Sequence, residues 1–177
     1  MAELEPNTVE RIRQRIGLPR STTKDLLGVD KDTVFTTEDR RMNPVVVRRA
    51  VALDAAFEQW RAAVRYALER EAEVAPAMVD EDGMRYLTTR QAAYCLGIGD
   101  YHMSTLRNRG KIDAVLSGRG QGQVNLFAVQ ALYDLIDNGP RGYQAPLTHA
   151  FVEYVKRTRA EVPSPGPTED REQVSVA

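Results

Sequence analysis

Residues that build reactive centres are scarce in this sequence. Its 177 residues include one cysteine and two histidines. The single Cys95 excludes an internal disulfide and a metal site made of several thiolates. Neither His102 nor His149 stands in an HxH, HExxH or Cys/His spacing that holds a metal. We therefore expect no metal, no cofactor and no enzyme activity, and we interpret Cys95 as a structural thiol buried beside Tyr94 and Leu96.

Long apolar runs and an excess of either charge are also missing. No stretch approaches the ~20 apolar residues of a membrane span, and the N-terminus carries no apolar signal core. We therefore expect a cytoplasmic protein without membrane contact. The formal net charge is −1, so a nucleic-acid surface requires local clustering. Between residues 84 and 125 six basic residues stand against two acidic ones, although a solvated arginine-rich surface would have the same composition.

The stretch 86–136 opens with a helix and a glycine turn. Thr88 and Gln91 have the spacing of a capping box, in which each residue satisfies the other's backbone N–H at a helix start. Gly97 ends this helix, because glycine adopts the left-handed conformation at little cost. Ile98 follows as a core anchor in the turn.

A second short helix follows the turn. Asp100 suits its positively polarised start, and Gly110 ends it. Met103 and Leu106 are three apart and face the core. The remaining side chains of this helix are expected to face outward: Tyr101, His102, Ser104, Thr105 and Asn108.

Two strands joined by a glycine-rich tip are predicted next. Lys111 to Val115 can run extended, and Ser117 to Gln123 contains three glycines with one arginine and two glutamines. Val124 and Leu126 return at the alternate spacing of a strand. Residues 127–136 then predict a closing helix with an apolar stripe formed by Val129, Leu132, Tyr133 and Ile136.

This order of segments resembles the winged helix-turn-helix of the MerR and phage excisionase group. That group has a helix start at L-T, a turn G-V/I-S, a recognition helix ending in G-K/R-L/I, a Gly/Arg-rich wing and a closing helix. The resemblance covers about 50 of the 177 residues. Gly99 and Asp100 depart from the pattern, since serine and a basic residue are common there. The wing and closing helix also resemble those of small terminase subunits of lambda-like phages. The matching segments are Leu87–Thr88, Gly97–Ile98–Gly99, Gly110–Lys111–Ile112, Gly118–Gly122 and Phe127–Ile136.

The resemblance implies a recognition helix in the major groove of duplex DNA and a wing beside it. Asparagine suits adenine, and serine or threonine suits several base edges. The expected contacts to bases or nearby phosphates are Tyr101, His102, Ser104, Thr105 and Asn108. The expected contacts to the DNA backbone are Arg90, Arg107, Arg109 and Lys111, and the expected contacts to the minor groove are Arg119 and Gln121.

The N-terminal part is predicted to be helical. Asn7 and Glu10 have capping-box spacing, and Gly17 ends the first helix. Residues 21–37 weakly repeat the glycine turn of residues 88–98. They suggest either a second helix-turn-helix or a small helical cap packed on the long helix that follows.

A long helix is predicted over residues 44–73, with Asn43 as its cap and Pro44 in its first position. Apolar residues recur along it at spacings of four and three, the pattern of helix-on-helix packing. Two arrangements are consistent with this seam. Either it forms the interface of a homodimer or higher oligomer, or it packs on the first helices and the closing helix of the same chain. The oligomer is favoured, because the large side chains of Phe57 and Trp60 require more burial than a short helical cap offers. The seam residues are Val46, Ala50, Leu53, Phe57, Trp60, Val64 and Ala67.

The expected fold is mainly α: an N-terminal helical domain with one long helix, and a winged helix-turn-helix with a small β-hairpin wing. The predicted divisions are an assembly domain at 1–75, a linker at 76–83, the winged unit at 84–138, a C-terminal helix at 139–160 and a disordered tail at 161–177.

The predicted function is sequence-specific binding of double-stranded DNA, as a transcriptional regulator or a phage-type repressor or excisionase. Two alternatives remain open at this point. One is a non-enzymatic packaging or assembly subunit of the small-terminase kind. The other is an interaction module that kept the fold and lost DNA binding.

We expect Arg119→Ala to leave the melting temperature nearly unchanged, because no apolar residue lies within two positions of it. If the wing contacts DNA, the change should weaken binding to preferred and scrambled duplexes by similar factors. The slope of log K against log salt should shrink by about one. Anisotropy titrations at several salt concentrations measure both quantities, and unchanged binding to both duplexes would exclude Arg119 from the DNA surface.

Overall fold

The computed structural model describes residues 7–118, 120–138 and 145–161. It is mainly helical, with one long helix and a small antiparallel sheet of four strands. The helices are α1 (Thr8–Ile16), α2 (Arg20–Leu27), α3 (Pro44–Val74), α4 (Thr89–Leu96), α5 (Asp100–Asn108), α6 (Val129–Asp137) and α7 (Ala145–Glu161). The strands are β1 (Met78–Val79), β2 (Arg85–Thr88), β3 (Val115–Ser117) and β4 (Val124–Ala128).

The long helix α3 begins and ends where local chemistry requires it. The side-chain oxygen of Asn43 accepts a hydrogen bond from the Val45 backbone N–H at 2.9 Å, and Pro44 occupies the first turn. The helix ends at Val74, shortly before Pro76, which cannot donate to the helical ladder. Its 31 residues span about 45 Å at 1.5 Å per residue. The prediction of one long helix from residue 44 is confirmed.

One face of α3 is buried within the chain itself. The rings of Phe57 and Trp60 both pack against Phe151 of α7, with centroid distances of 5.3 and 5.7 Å. Helices α1, α4 and α6 and strand β2 cover the rest of this face. The buried residues of α3 are Ala50, Leu53, Phe57, Trp60, Val64, Leu68 and Ala72.

The predicted oligomer seam is therefore corrected. Its central members, Phe57 and Trp60, are 2% and 4% exposed in a single chain, so they cannot meet a second copy. The cover for these rings comes from α7, which lies far away in sequence. Val46 and Ala67, at the ends of the seam, are half-buried against the same core. The second alternative is confirmed in part: α1 and α6 pack on α3, but the aromatic rings are covered by α7, which that alternative did not include.

The N-cap of α1 is confirmed, and its predicted return bond is wrong. The Asn7 side-chain oxygen accepts from the backbone N–H groups of Val9 and Glu10 at 2.9 and 3.2 Å. The Glu10 carboxylate instead accepts from the Arg13 guanidinium at 2.7 and 2.8 Å. An i, i+3 ion pair thus takes the place of the capping box.

Residues 21–37 do not form a second helix-turn-helix. Helix α2 ends at Gly28, whose φ is 65°. A 3₁₀ turn at Asp32–Phe35 then stands where a second helix would be needed. Leu26 and Leu27 are buried, and α2 packs on α3. The helical cap on the long helix is the alternative that the structure supports.

The sheet joins the segments on both sides of α4 and α5. Its strand order is β1-β2-β4-β3, and every neighbouring pair is antiparallel. Leu87 of β2 pairs with Phe127 of β4, and both side chains are fully buried. Strand β1 lies inside the segment 76–83 that was predicted to be a linker. One hydrophobic cluster runs from α1 through the sheet to α7, so the core crosses the predicted domain boundary.

Trp60→Ala is expected to lower the free energy of unfolding by about 3–5 kcal/mol, because it opens a cavity beside Phe57 and Phe151. Urea denaturation measures this loss, and light scattering should show an unchanged molecular mass. Val45→Ala is the control, since this residue of α3 is 43% exposed and should cost under about 0.5 kcal/mol. A Trp60→Ala protein with wild-type stability and reduced mass would restore the seam as an intermolecular contact.

Candidate nucleic-acid interface

Helix α4 is fixed to the end of α3 by one glutamine. The capping box is confirmed: Thr88 Oγ1 accepts from the Gln91 backbone N–H at 3.2 Å, and Gln91 Oε1 accepts from the Thr88 N–H at 2.9 Å. Gln91 Nε2 donates to the Glu71 carboxylate at 2.9 Å and to the Ala75 carbonyl at 2.7 Å. A residue predicted to cap a helix thus also sets the position of that helix on α3.

Helix α5 presents a polar strip on the side opposite the core. Met103 and Leu106 are 0% and 1% exposed, and Gly97, with φ 70°, turns the chain between α4 and α5. The helical period places four residues on the outer side, at successive spacings of three, one and three. These residues are Tyr101, Ser104, Thr105 and Asn108, of which the first and last are exposed and the middle two half-buried. The prediction that they face outward is confirmed for Tyr101 and Asn108 and only in part for Ser104 and Thr105.

His102 lies beside this strip rather than in its centre. It is exposed, and its ring meets the Tyr101 ring edge-on at a centroid distance of 5.8 Å. Thr105 Oγ1 donates to the Tyr101 carbonyl at 2.9 Å. Because its proton is used within the helix, the Thr105 hydroxyl offers outward only lone pairs.

Arg107 connects α5 to the β3–β4 hairpin. Its guanidinium donates to the side-chain oxygen of Asn125 in β4. It also donates to the side-chain oxygen of Asn108, through Nε at 3.2 Å and Nη2 at 2.8 Å. We call these three residues the Arg107 cluster. Since both partners are neutral amides, Arg107 keeps its full positive charge while it holds the helix against the strand.

The Arg107 cluster determines which hydrogen bonds the Asn108 side chain can still make. Both lone pairs of its side-chain oxygen face donors of Arg107. Its NH₂ group is left to face solvent, so Asn108 acts as a donor. A bidentate contact to adenine, which the sequence suggested, needs the oxygen as an acceptor as well. The geometry instead suits acceptors such as guanine O6 and N7, thymine O4 or a phosphate oxygen.

The charges around α5 are distributed unevenly along the helix. At its start Asp100 and Glu71 line one shallow depression together with Arg90, so two carboxylates oppose phosphate there. Toward its end stand Arg107, Arg109 and Lys111. Within the part of the chain that the structure describes, neither Arg107 nor Lys111 has a carboxylate within 4.0 Å. Three basic residues are therefore concentrated at the C-terminal end of α5, beside the hairpin, where Lys111 also shares a depression with Asp113 and Asp134.

The hairpin tip requires glycine. Gly118 has φ 98°, and a Cβ there would lie 2.7 Å from the Gly122 carbonyl oxygen. Gly120–Gly122 forms a 3₁₀ turn that includes the backbone of Gln121. Arg119 and the side chain of Gln121, both predicted to contact DNA, lie outside the described residues. Three apolar side chains that flank the tip are about half exposed: Val115, Leu116 and Val124.

Cys95 is buried, as predicted, and burial raises the pKa of its thiol to about 11. The thiol donates weakly to the Ala67 carbonyl at 3.6 Å. At neutral pH it stays protonated, so it is a poor nucleophile.

Among the described residues no cluster of histidine, cysteine and acidic side chains has the arrangement to hold a metal. The same residues contain no helix long and apolar enough to cross a membrane.

Comparison with known proteins gives no relative: no protein-family model, curated protein or solved structure matches the chain.

The link between Arg107 and Asn125 was missed at the sequence level, because the two residues stand 18 positions apart and neither belongs to a motif. We expect a double-mutant cycle with Arg107→Ala and Asn125→Ala to give a coupling energy of about 0.5–1.5 kcal/mol. Urea unfolding of the four proteins measures it. The matched control pairs Arg107→Ala with Gln123→Ala, an exposed amide nearer the tip, and its coupling should be close to zero. Equal couplings in the two cycles would show that the cluster does not hold the hairpin.

Proposed function

We propose that this chain is a winged helix-turn-helix protein that binds double-stranded DNA in a sequence-specific manner. The supporting observation is the outer strip of α5, where four polar side chains lie opposite two buried apolar ones. At one end of the strip stand Arg107 and Lys111, which have no carboxylate within 4.0 Å among the described residues, and the hairpin is bonded beside it. Its role is binding without catalysis, as a transcriptional regulator or a phage-type repressor or excisionase.

In this proposal the strip of α5 enters the major groove. The groove is about 12 Å wide and admits one helix, and its base edges distinguish all four base pairs. Asn108 donates to an acceptor on a base edge, and Ser104 contacts a neighbouring edge. Tyr101 and His102 lie toward the start of α5, where Asp100 and Glu71 disfavour phosphate. They therefore contact bases or sugars rather than phosphates.

Phosphate contacts follow the charge asymmetry of α5. Arg107 and Lys111 at its C-terminal end, with Arg109 between them, contact the DNA backbone, and the hairpin tip approaches the adjacent minor groove. Arg90 on α4 shares a depression with Asp100 and Glu71, so its contact to the backbone contributes less than those of Arg107 and Lys111. Such contacts position the protein on the duplex, whereas base contacts supply specificity.

The proposal is tested by salt dependence and one amide substitution. With about 4–6 phosphate contacts, log K should fall with log salt at a slope of about −4 to −5. Asn108→Ala should cost about 1–3 kcal/mol on a preferred duplex, selected from random sequences, and little on a scrambled duplex. Anisotropy titration on both duplexes at fixed salt measures the difference.

Gln130→Ala is the matched control, because it removes an exposed amide from α6, away from the strip. It should bind both duplexes like the wild type. Affinity that is independent of salt, or a loss with Gln130→Ala equal to that with Asn108→Ala, would overturn the proposal.

A further inference from the structure

Helix α3 has a continuous row of exposed residues on the side opposite its buried face. Eight residues follow one another at spacings of four and three, and all eight are exposed. Tyr66, the largest apolar member, is 67% exposed. We call this face the outer row. It consists of Arg48, Ala52, Ala55, Gln59, Ala62, Tyr66, Glu69 and Glu73.

Positions at spacings of four and three lie along one side of an α-helix, so one partner helix can contact all eight residues of the outer row. A spacing of 3.5 residues keeps one seam facing one partner over a long distance. From Arg48 to Glu73 the row is about 38 Å long at 1.5 Å per residue. Its three alanines permit a close approach of a second helix axis, near the short end of the 8–10 Å range.

The charged side chains of the outer row have no ion-pair partner in the part of the chain that the structure describes. Four charges that flank the buried face of α3 are paired: Asp54 and Glu58 with Arg15 of α1, and Arg61 and Arg65 with Asp137 of α6. In contrast, Arg48, Glu69 and Glu73 form no ion pair among the described residues.

The row is complementary to itself in one orientation. Its eight positions are symmetric about the midpoint between Trp60 and Arg61. Two antiparallel copies would therefore place Arg48 opposite Glu73 and beside Glu69. Tyr66 would lie opposite Ala55, which pairs a large side chain with a small one. Parallel copies would instead place each charged residue opposite its own copy, which is unfavourable.

We propose that a second copy of this chain packs its α3 antiparallel across the outer row, so that the protein is a homodimer. This interface uses no residue of α5 or the hairpin, so it is independent of the proposed DNA binding. It also differs from the apolar seam of α3, which is already occupied by the core.

Charge reversal tests the orientation. Arg48→Glu and Glu73→Arg should each raise the dimer dissociation constant by about tenfold or more, because like charges then meet across the interface. The double variant carrying both changes should return to within about threefold of the wild type, since the two charges are exchanged and the attraction is restored. Sedimentation equilibrium measures the constants, and circular dichroism checks that helical content is unchanged.

Arg157→Glu is the matched control, because it reverses an exposed arginine on α7 and should leave the dissociation constant unchanged. A wild-type chain that stays monomeric throughout the concentration series overturns the proposal. It is also overturned if the double variant remains as weak as the single ones, or if a larger assembly forms that Arg48→Glu leaves intact.

Cysteine cross-linking gives an independent test. Gln59→Cys with Ala62→Cys places thiols opposite each other in the antiparallel pair, so oxidation should yield a dimer on a denaturing gel. Ala52→Cys alone should not cross-link, because the two copies of residue 52 would lie about 26 Å apart along the axis. Efficient cross-linking through residue 52 would show a parallel pair and overturn the proposed orientation.

Discussion

The packing of Phe151 against Phe57 and Trp60 closes the core on which the rest of the molecule depends. Three rings meet at centroid distances between 5.3 and 5.8 Å, and such contacts add to the free energy of simple burial. The guanidinium groups of Arg15 and Arg61 lie 5.4 and 5.7 Å from the Phe57 ring. A helix of this length gains most of its stability from tertiary packing rather than from its own hydrogen bonds. The aromatic cluster supplies part of that packing, and the contacts of α3 with α1, α4 and α6 supply the rest.

Hydrogen bonds and ion pairs attach the elements next to the candidate interface to α3. Gln91 ties the start of α4 to the end of α3, and Asp137 ties the end of α6 to Arg61 and Arg65. These guanidiniums, Arg65 foremost, lower the pKa of Asp137, so its carboxylate stays ionised and paired at neutral pH. Helix α5 has a fixed position, because it packs on α4 and its Met103 and Leu106 side chains are buried in the core. A surface that reads another molecule needs such support, since small displacements remove hydrogen bonds.

Arg107 illustrates how one side chain can serve both positioning and charge. Its bonds go to two neutral amides, so the pairing orders the hairpin without cancelling the charge. A carboxylate at position 125 would order the strand equally well, but it would neutralise the cation that the proposed phosphate contact requires. The same bonds turn Asn108 into a donor. One cluster thus sets both the position of the hairpin and the donor character of Asn108.

The sequence by itself determined the features that depend on near neighbours. The cap at Thr88 and Gln91, the turn at Gly97 and the inward placement of Met103 and Leu106 follow from local hydrogen bonding and the helical period, and each is confirmed. Only the tertiary structure decided what covers the apolar face of α3. Hydrophobic burial is non-directional, so the pattern showed that Phe57 and Trp60 must be buried but not that Phe151 would bury them. The Arg107 cluster likewise depends on residues from α5 and β4 that only the folded chain brings within hydrogen-bond distance.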